Sequence, residues 1–264
     1  MDINFQVLRK KLAGKKIGHK IHYYPETGST NDRAFELGIA GAPEGTVVIA
    51  DRQSTGRGRL QRNWHSPGGV NIYTSIILRP KMEANAAPRV SITAGVAIAE
   101  ILDEYFTAKV HLKWPNDVIL NGKKVCGMLS QLKILGNFID FIVLGVGINV
   151  NIGKEDFPPE LRGLATSLAA EAGRRFSREK ITISLYENLA KWYEVLTTEG
   201  FRKIKDKWLS MAPMIGCAVS IAFINEVISG NARGIDDDGS LVIETGNGKE
   251  RKVSAGDATV LREK

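Results

Sequence analysis

The residues with the plainest chemical capacity are Gln53-Ser54-Thr55-Gly56-Arg57-Gly58-Arg59, followed through Leu60, Gln61, Arg62 and Asn63 by Trp64, His65 and Ser66. Guanidinium forks at Arg57 and Arg59 suit phosphate and carboxylate oxygens, which they can grip with paired N–H bonds. Glycines at 56 and 58 are read as supplying positive φ and backbone N–H groups open to a close-lying ligand. The Trp64 indole adds a flat apolar face of the kind on which a base stacks. Together they describe a mobile loop for an anionic ligand with an aromatic part, such as a nucleotide. A solvated arginine–glycine tail is the bland alternative, but the run is short, unrepeated and flanked by extended segments. No Gly-Lys-Ser or Gly-Lys-Thr closes it, so any ATP is bound by a device other than a Walker A loop.

Three further places carry chemical possibilities. Ser29 and Asp32 fit a capping box at the start of a helix through Phe35 and Leu37, where N–H groups and hydroxyls could also meet a polar ligand. Lys124 precedes Gly127 in an otherwise apolar run, and a glycine inside a strand suggests close approach to its backbone. Gly145 and Gly147 interrupt a second apolar run in alternation, with Asn149 and Asn151 after them.

Elements to position these residues follow from pattern. Thr46–Ala50 and Asn71–Leu78 read as the strands flanking the arginine loop, after a first strand at Ile21–Tyr24. Pro88 opens a helix expected to run to about Phe106, with Val90, Ala94, Ala97, Ile101 and Leu102 on one face. Val110–Trp114 stops at Pro115-Asn116-Asp117, Val118–Leu120 resumes, and Asn121-Gly122 is a hairpin signal before the return strand Lys124–Leu135. A turn at Gly136-Asn137 leads into Phe138–Leu144. Successive hairpins imply an α+β fold, a mixed, mostly antiparallel sheet with helices packed on one face. Ile181 to Leu196 and Phe201 to Trp208 mark two amphipathic helices. Beyond Pro213 only short strands remain, near Ala218–Phe223, Val227–Gly234, Leu241–Glu244 and Arg251–Val253, with turns at Asp238-Gly239 and Asn247-Gly248. The division expected is a short helix and connector over 1–20, a main domain over 21–212, and a small β-domain over 213–264.

Composition bounds the reading without choosing a partner. With 264 residues, 43% hydrophobic and 25% charged, the chain can bury a core, and its charge of +7 is spread rather than blocked. The two cysteines, Cys126 and Cys217, have no metal-type spacing, and the four histidines show no ligand pattern. No run approaches the roughly 18 apolar residues of a membrane span, and reduced thiols suit a cytoplasmic chain.

Five ordered motifs resemble the biotin protein ligases, which attach biotin to carboxylase carrier domains. They are Gly28-Ser29-Thr30-Asn31, Gln53 to Arg59 with Trp64 and Ser66, Lys113-Trp114-Pro115-Asn116-Asp117, Lys124-Val125-Cys126-Gly127, and Gly145-Val146-Gly147-Ile148-Asn149. The resemblance covers about residue 21 to the C-terminus and departs at Gln61, where the family often has glycine. It implies a sheet of the class II aminoacyl-tRNA synthetase and biotin ligase type with a C-terminal SH3-like β-barrel. It also implies two half-reactions, formation of biotinyl-5′-AMP from biotin and ATP with Mg²⁺, then transfer to a carrier lysine. Catalysis would fall to Lys124, Arg57 and Arg59. Biotin would meet Ser29, Thr30, Asn31, Gln53, Gly56, Arg57, Gly58, Arg59, Lys124, Gly127 and Gly145. The nucleotide would meet Arg57, Arg59, Trp64, Asn116, Lys124 and Asn149. No dedicated protein site holds the metal, and Asp117 is the one candidate to orient it or the incoming lysine.

The partners implied are a biotin carboxyl carrier protein, of acetyl-CoA carboxylase or another biotin-dependent carboxylase, and a second copy in a homodimer. Members that are also repressors carry a winged helix-turn-helix that the residues before Ile21 could not fold, so no specific DNA binding and no membrane association are expected. A lipoate-protein ligase and a biotin-responsive repressor stand as alternatives.

Overall fold

The structure, a computed structural model, describes residues 3–106, 109–222, 226–246, 248–254 and 256–261. Phe223 and Asn247, expected at a strand end and in a turn, lie outside them. Seven strands form the main sheet: β1 (Lys20–Thr27), β2 (Thr46–Gln53), β3 (Ile72–Leu78), β4 (Val110–Lys113), β5 (Asp117–Leu120), β6 (Lys123–Leu135) and β7 (Phe138–Ile148), in spatial order β1-β2-β3-β7-β6-β5-β4. The β1–β2 pair is parallel and the other five pairings are antiparallel. A parallel neighbour requires a crossover, which the helix α2 (Thr30–Ile39) supplies. Asn121 and Gly122, both at positive φ (49° and 78°), close the β5–β6 hairpin as their sequence suggested.

Helices cover both faces of this sheet, not one. On β7, Ile142 and Leu144 face the main core with α3 (Pro88–Asp103) and α5 (Arg178–Thr198), while Phe141 and Val143 join Val48, Ile77 and Ala34 of α2 on the opposite side. Strands buried on both faces read as unbroken apolar runs, so their alternation could not announce the second layer. Gly38 lets α2 lie against the Phe141 ring, and Arg79 ties down its C-terminal end by donating from Nη2 to the carbonyls of Gly38 (3.0 Å) and Ala42 (3.2 Å). That helix carries Thr30 and Asn31 at its start, so its seating matters to the site.

The remaining helices are α1 (Phe5–Leu12), the short α4 (Leu168–Ala172), which the sequence did not announce, and α6 (Arg202–Ser210). The helix α3 ends at Asp103, short of the Phe106 expected. A second, five-stranded antiparallel sheet comprises β8 (Ala218–Ala222), β9 (Val227–Ile235), β10 (Leu241–Glu244), β11 (Glu250–Val253) and β12 (Asp257–Val260), in the order β11-β10-β9-β8-β12. Its Asp237–Gly239 turn seats on the main domain, where Arg89 Nε donates to the Asp237 carbonyl (2.5 Å) and Trp114 Nε1 to the Gly239 carbonyl (3.1 Å). β12, absent from the sequence reading, brings Asp257 to the arginine loop.

His22 on β1 gives the fold a pH dependence. Burial, then the charges of Lys20 and Arg9, lower its pKa from 6.5, so the folded state favours neutral imidazole. The unfolded chain therefore takes up a proton first as pH falls below 6.5, and this contribution to stability is full above that pH and lost below it. Thermal melts at stepped pH should show His22→Gln losing less stability between neutral and mildly acidic pH than the parent.

Candidate active site

Three glycines make a floor of bare backbone. Gly145 and Gly147 lie two residues apart on β7, hence on one face and about 7 Å apart along the strand. Gly127 of β6 pairs with Gly147, and Leu129 with Gly145. The Trp64 indole lies across the first pair: a Cβ on Gly147 would come within 2.6 Å of its Cε2 and Nε1, and one on Gly127 within 2.9 Å of its Cζ3. The Asn31 amide lies across the second, where a Cβ on Gly145 would overlap its Oδ1. The in-strand glycines thus admit side chains flat against the sheet, the close approach that their placement suggested. In this structure the neighbours are Asn31 and Trp64.

Above this floor runs a cavity of about 790 Å³ whose lining includes Ser29, Thr30, Asn31, Gln53, Arg57, Gly58, Arg59, Trp64, Asn116, Asp117, Lys124, Gly127, Gly145 and Asn149. Of the residues nominated from sequence, Gly56 is the one outside that lining. Where β2 and α2 meet, Gln53 Oε1 accepts from the Thr30 backbone N–H (2.8 Å) and hydroxyl (3.1 Å), while its Nε2 donates to Ser66 Oγ (3.0 Å). Ser66 in turn donates to the Trp64 carbonyl (2.8 Å). Ser29 occupies the N-cap position of α2, yet its side chain makes no capping bond; its hydroxyl belongs to the cavity and not to a capping box.

Lys124, at the start of β6, forms an ion pair with Asp117 of β5 (Nζ–Oδ1 2.6 Å) and lies over the Trp64 ring, 5.4 Å from its centroid. Its backbone is clamped to the segment before α4, donating to the Leu164 carbonyl (2.9 Å) and accepting from Thr166 N–H (2.9 Å). Asn149 Nδ2 donates to the Thr166 carbonyl (3.0 Å), so this 4% exposed residue holds that segment in place as well as lining the cavity. Asp117 stands alone as a carboxylate beside Lys124, and no group of three or more His, Cys, Asp or Glu side chains able to hold a metal occurs among the described residues.

The arginine loop is tied at three points. Arg57 pairs with Asp32 in the first turn of α2 (2.9 Å). Arg59 donates to Asn116 Oδ1 (3.2 Å), Asp257 Oδ1 (3.3 Å) and the Gly256 carbonyl (3.1 Å), and Arg62 reaches Asp257 Oδ2 (2.6 Å). Burial lowers the Arg59 pKa from its ordinary value, and the charges of Asp257 and Asp117 oppose that effect. The charges of these arginines are offset by Asp32 and by Asp257, of which the sequence reading left out Asp257.

Neither Gly56 nor Gly58 has positive φ; Leu60 (52°) and Gln61 (59°) do. Gly56 is required by space, since a Cβ there would come within 2.5 Å of Ser66 Oγ and the Trp64 carbonyl. At the positive-φ turn a side chain costs about 1–2 kcal/mol per residue, and Leu60 and Gln61 stand there. Asp257→Asn removes the charge that Arg59 and Arg62 share and should weaken both contacts, so trypsin should cleave after Arg59 and Arg62 faster in this variant than in the parent; equal rates would show that the Asp257 charge does not restrain the loop.

Comparison with known proteins agrees with these motifs. The Biotin/lipoate A/B protein ligase family matches residues 23–149 and the Biotin protein ligase C terminal domain matches 215–260. The Bifunctional ligase/repressor BirA of Bacillus subtilis is 37% identical over 248 residues, 94% of this chain and 76% of that protein. The chain belongs to the biotin protein ligase family. A Biotin–[acetyl-CoA-carboxylase] ligase of Paracoccus denitrificans is 33% identical over 230 residues, 85% of this chain and 94% of that protein. In fold, the biotin protein ligase of Aquifex aeolicus in complex with biotin and ATP superposes with a TM-score of 0.78 at 28% identity, covering 92% of this chain and 99% of that one. The matched ranges include the glycine floor, the Lys124–Asp117 pair and the arginine loop.

Two features of the site escaped the sequence. Ser75 of β3 donates toward both Asn31 Oδ1 (2.6 Å) and Thr30 Oγ1 (2.8 Å), and its one trace in the sequence is a hydroxyl amid the apolar run Ile72–Leu78. Asp51 lies just before the loop and is bound by the buried Arg178 of α5 at 2.7 Å, a pairing across the chain that no local pattern reveals.

Proposed function

We propose that this chain is an ATP-dependent biotin–carrier protein ligase. In the first step a biotin carboxylate oxygen attacks the α-phosphorus of ATP, pyrophosphate leaves, and biotinyl-5′-AMP results. In the second, a lysine amine of a biotin carboxyl carrier protein attacks the acyl carbon, the anhydride bond breaks, and AMP leaves with its electron pair. The observation that carries this reading is the continuity of one cavity from the hydrogen-bonding end at Ser29, Thr30 and Gln53, along the glycine floor, to the cations Lys124 and Arg59.

Each part answers to a need of the reaction. A ureido ring wants fixed donors and acceptors inside an otherwise apolar slot, which Ser29, Thr30 and Gln53 supply, while bare backbone at Gly127, Gly145 and Gly147 leaves width for the tail. Bringing a carboxylate to a phosphate joins two anions, so the barrier falls when cations are already in place. Lys124 holds that position, steadied by Asp117, and Arg59, oriented by Asn116, faces the phosphate side with Arg57. Mg²⁺ on the ATP phosphates offsets the charge of departing pyrophosphate. Asp117, within 2.6 Å of Lys124, is suited to accept a proton from the carrier lysine in the second step.

The assembly is proposed to be a homodimer, supported by the exposed apolar tip of the β6–β7 hairpin, Ile134, Leu135 and Phe138, and sedimentation should find twice the chain mass of 28.9 kDa. No helix among the described residues is long and apolar enough to cross a membrane, and both cysteines are free thiols, which suits a reducing cytoplasm. Thermal melts decide the ligand: biotin with ATP should raise the melting temperature and lipoate with ATP should not, since a ligand at about a hundredfold its Kd adds about 2.7 kcal/mol. A rise with lipoate alone would make the chain a lipoate ligase.

A further inference from the structure

We infer that Ser75 is a positioning residue for biotin recognition, acting through Asn31 and Thr30 to set the N-terminus of α2 against the sheet. The inference rests on the biotin reading above and deepens it by one layer. Ser75 is fully buried on β3 and is absent from the cavity lining, so no ligand in the cavity meets it. Its strand partner is Gly145, and Gly145 pairs on its other side with Leu129, so one rung crosses β3, β7 and β6.

The Asn31 amide spans that rung. Its Oδ1 accepts from Ser75 Oγ at 2.6 Å, its body lies on Gly145, and its Nδ2 donates to the Leu129 carbonyl at 3.1 Å. Both ends of the amide are fixed, which fixes the first turn of α2 in height and rotation. The protons complete the argument. Thr30 sends its hydroxyl proton to Gln53 Oε1, so its oxygen is an acceptor, and the single Ser75 proton, 2.8 Å from it and 2.6 Å from Asn31 Oδ1, is shared between the two. The Thr30 backbone N–H holds Gln53 with its oxygen toward α2, and its Nε2 rests on Ser66. One buried hydroxyl thus ties Asn31 and Thr30 to β3, and through the first turn of α2 it sets where Thr30 and the uncapped Ser29 stand for a ureido ring.

Ser75→Ala leaves the buried Asn31 amide oxygen and the Thr30 hydroxyl oxygen without their shared donor. Biotin-dependent exchange of pyrophosphate into ATP reads the result. The KM for biotin should rise about tenfold, the size of one hydrogen bond to a buried partner, while kcat at saturating biotin stays near the parent value because Lys124 and the arginines are untouched. In a cycle with Asn31→Ala, the double variant should match Asn31→Ala alone, since Ser75 acts through that amide. Should Ser75→Ala fold too poorly to assay, Ser75→Cys keeps the volume and weakens the donor, and the same split should appear at smaller size. A lower melting temperature with KM for biotin within about twofold of the parent, or changes in KM that simply multiply in the cycle, would overturn the positioning role and leave Ser75 a packing residue. A parent without biotin-dependent exchange would overturn the biotin reading itself, and this inference with it.

Discussion

Lys124→Ala is expected to lower the rate of biotin adenylation by about 10²–10³, the usual cost of removing one preorganised charge from a site where charge develops. Its ammonium group is held by Asp117 at 2.6 Å and sits over Trp64, beside the bare backbone of Gly127, so it is in place before any anion arrives. Biotin affinity should fall only modestly, because the partners proposed for a ureido ring, Thr30 and Gln53, lie on α2 and β2, away from Lys124 on β6. Lys124→Arg should restore little, since a planar fork cannot occupy the place of a compact point charge above the indole. Pyrophosphate release measured in single turnovers checks this; a rate near the parent's would move the chemistry to the arginine loop.

Arg178→Ala should destabilise the fold by about 1–3 kcal/mol, the cost of leaving the Asn71 carbonyl and the partly exposed Asp51 without their charged donor. The Arg178 side chain is 2% exposed, and its Nη1 donates to Asp51 Oδ1 at 2.7 Å and to the Asn71 carbonyl at 3.2 Å. Asp51 Oδ2 also accepts from Gly69 N–H at 2.9 Å, so the pair fastens both ends of the arginine loop to the start of α5. Urea unfolding should show the loss, and proteolysis within residues 53–69 should quicken with it. A midpoint close to the parent's would mean that water or a neighbouring group satisfies Asp51 once the guanidinium is gone.

How far the sequence could be read depended on whether the signal was local. The β5–β6 hairpin was legible because Asn121-Gly122 favours positive φ whatever surrounds it, and α5 because Ile181, Leu185 and Leu189 repeat at helical spacing. Glycines at 127, 145 and 147 marked close approach because a glycine costs a strand stability unless something fills its place. What occupies that place, the Asn31 amide and the Trp64 indole, depends on the tertiary arrangement. The same holds for Ser29, whose spacing to Asp32 suggested a capping box that the structure does not form, and for Gly56, needed for room and not for φ. α2 on the second face was hidden because Val48, Ile77 and Val143 look the same in sequence as strand residues facing the main core. Asp257 and Arg178 meet the loop across 198 and 127 positions, beyond any window of local pattern.

Transfer of labelled biotin to a carrier domain tests the central claim most directly. The chain, ATP with Mg²⁺, labelled biotin and an isolated biotin carboxyl carrier domain should yield label bound covalently to the carrier, dependent on ATP and lost when the carrier's acceptor lysine is replaced. Label that stays as free biotin or as biotinyl-5′-AMP, with none on the carrier lysine, would contradict the proposal that this cavity serves protein biotinylation.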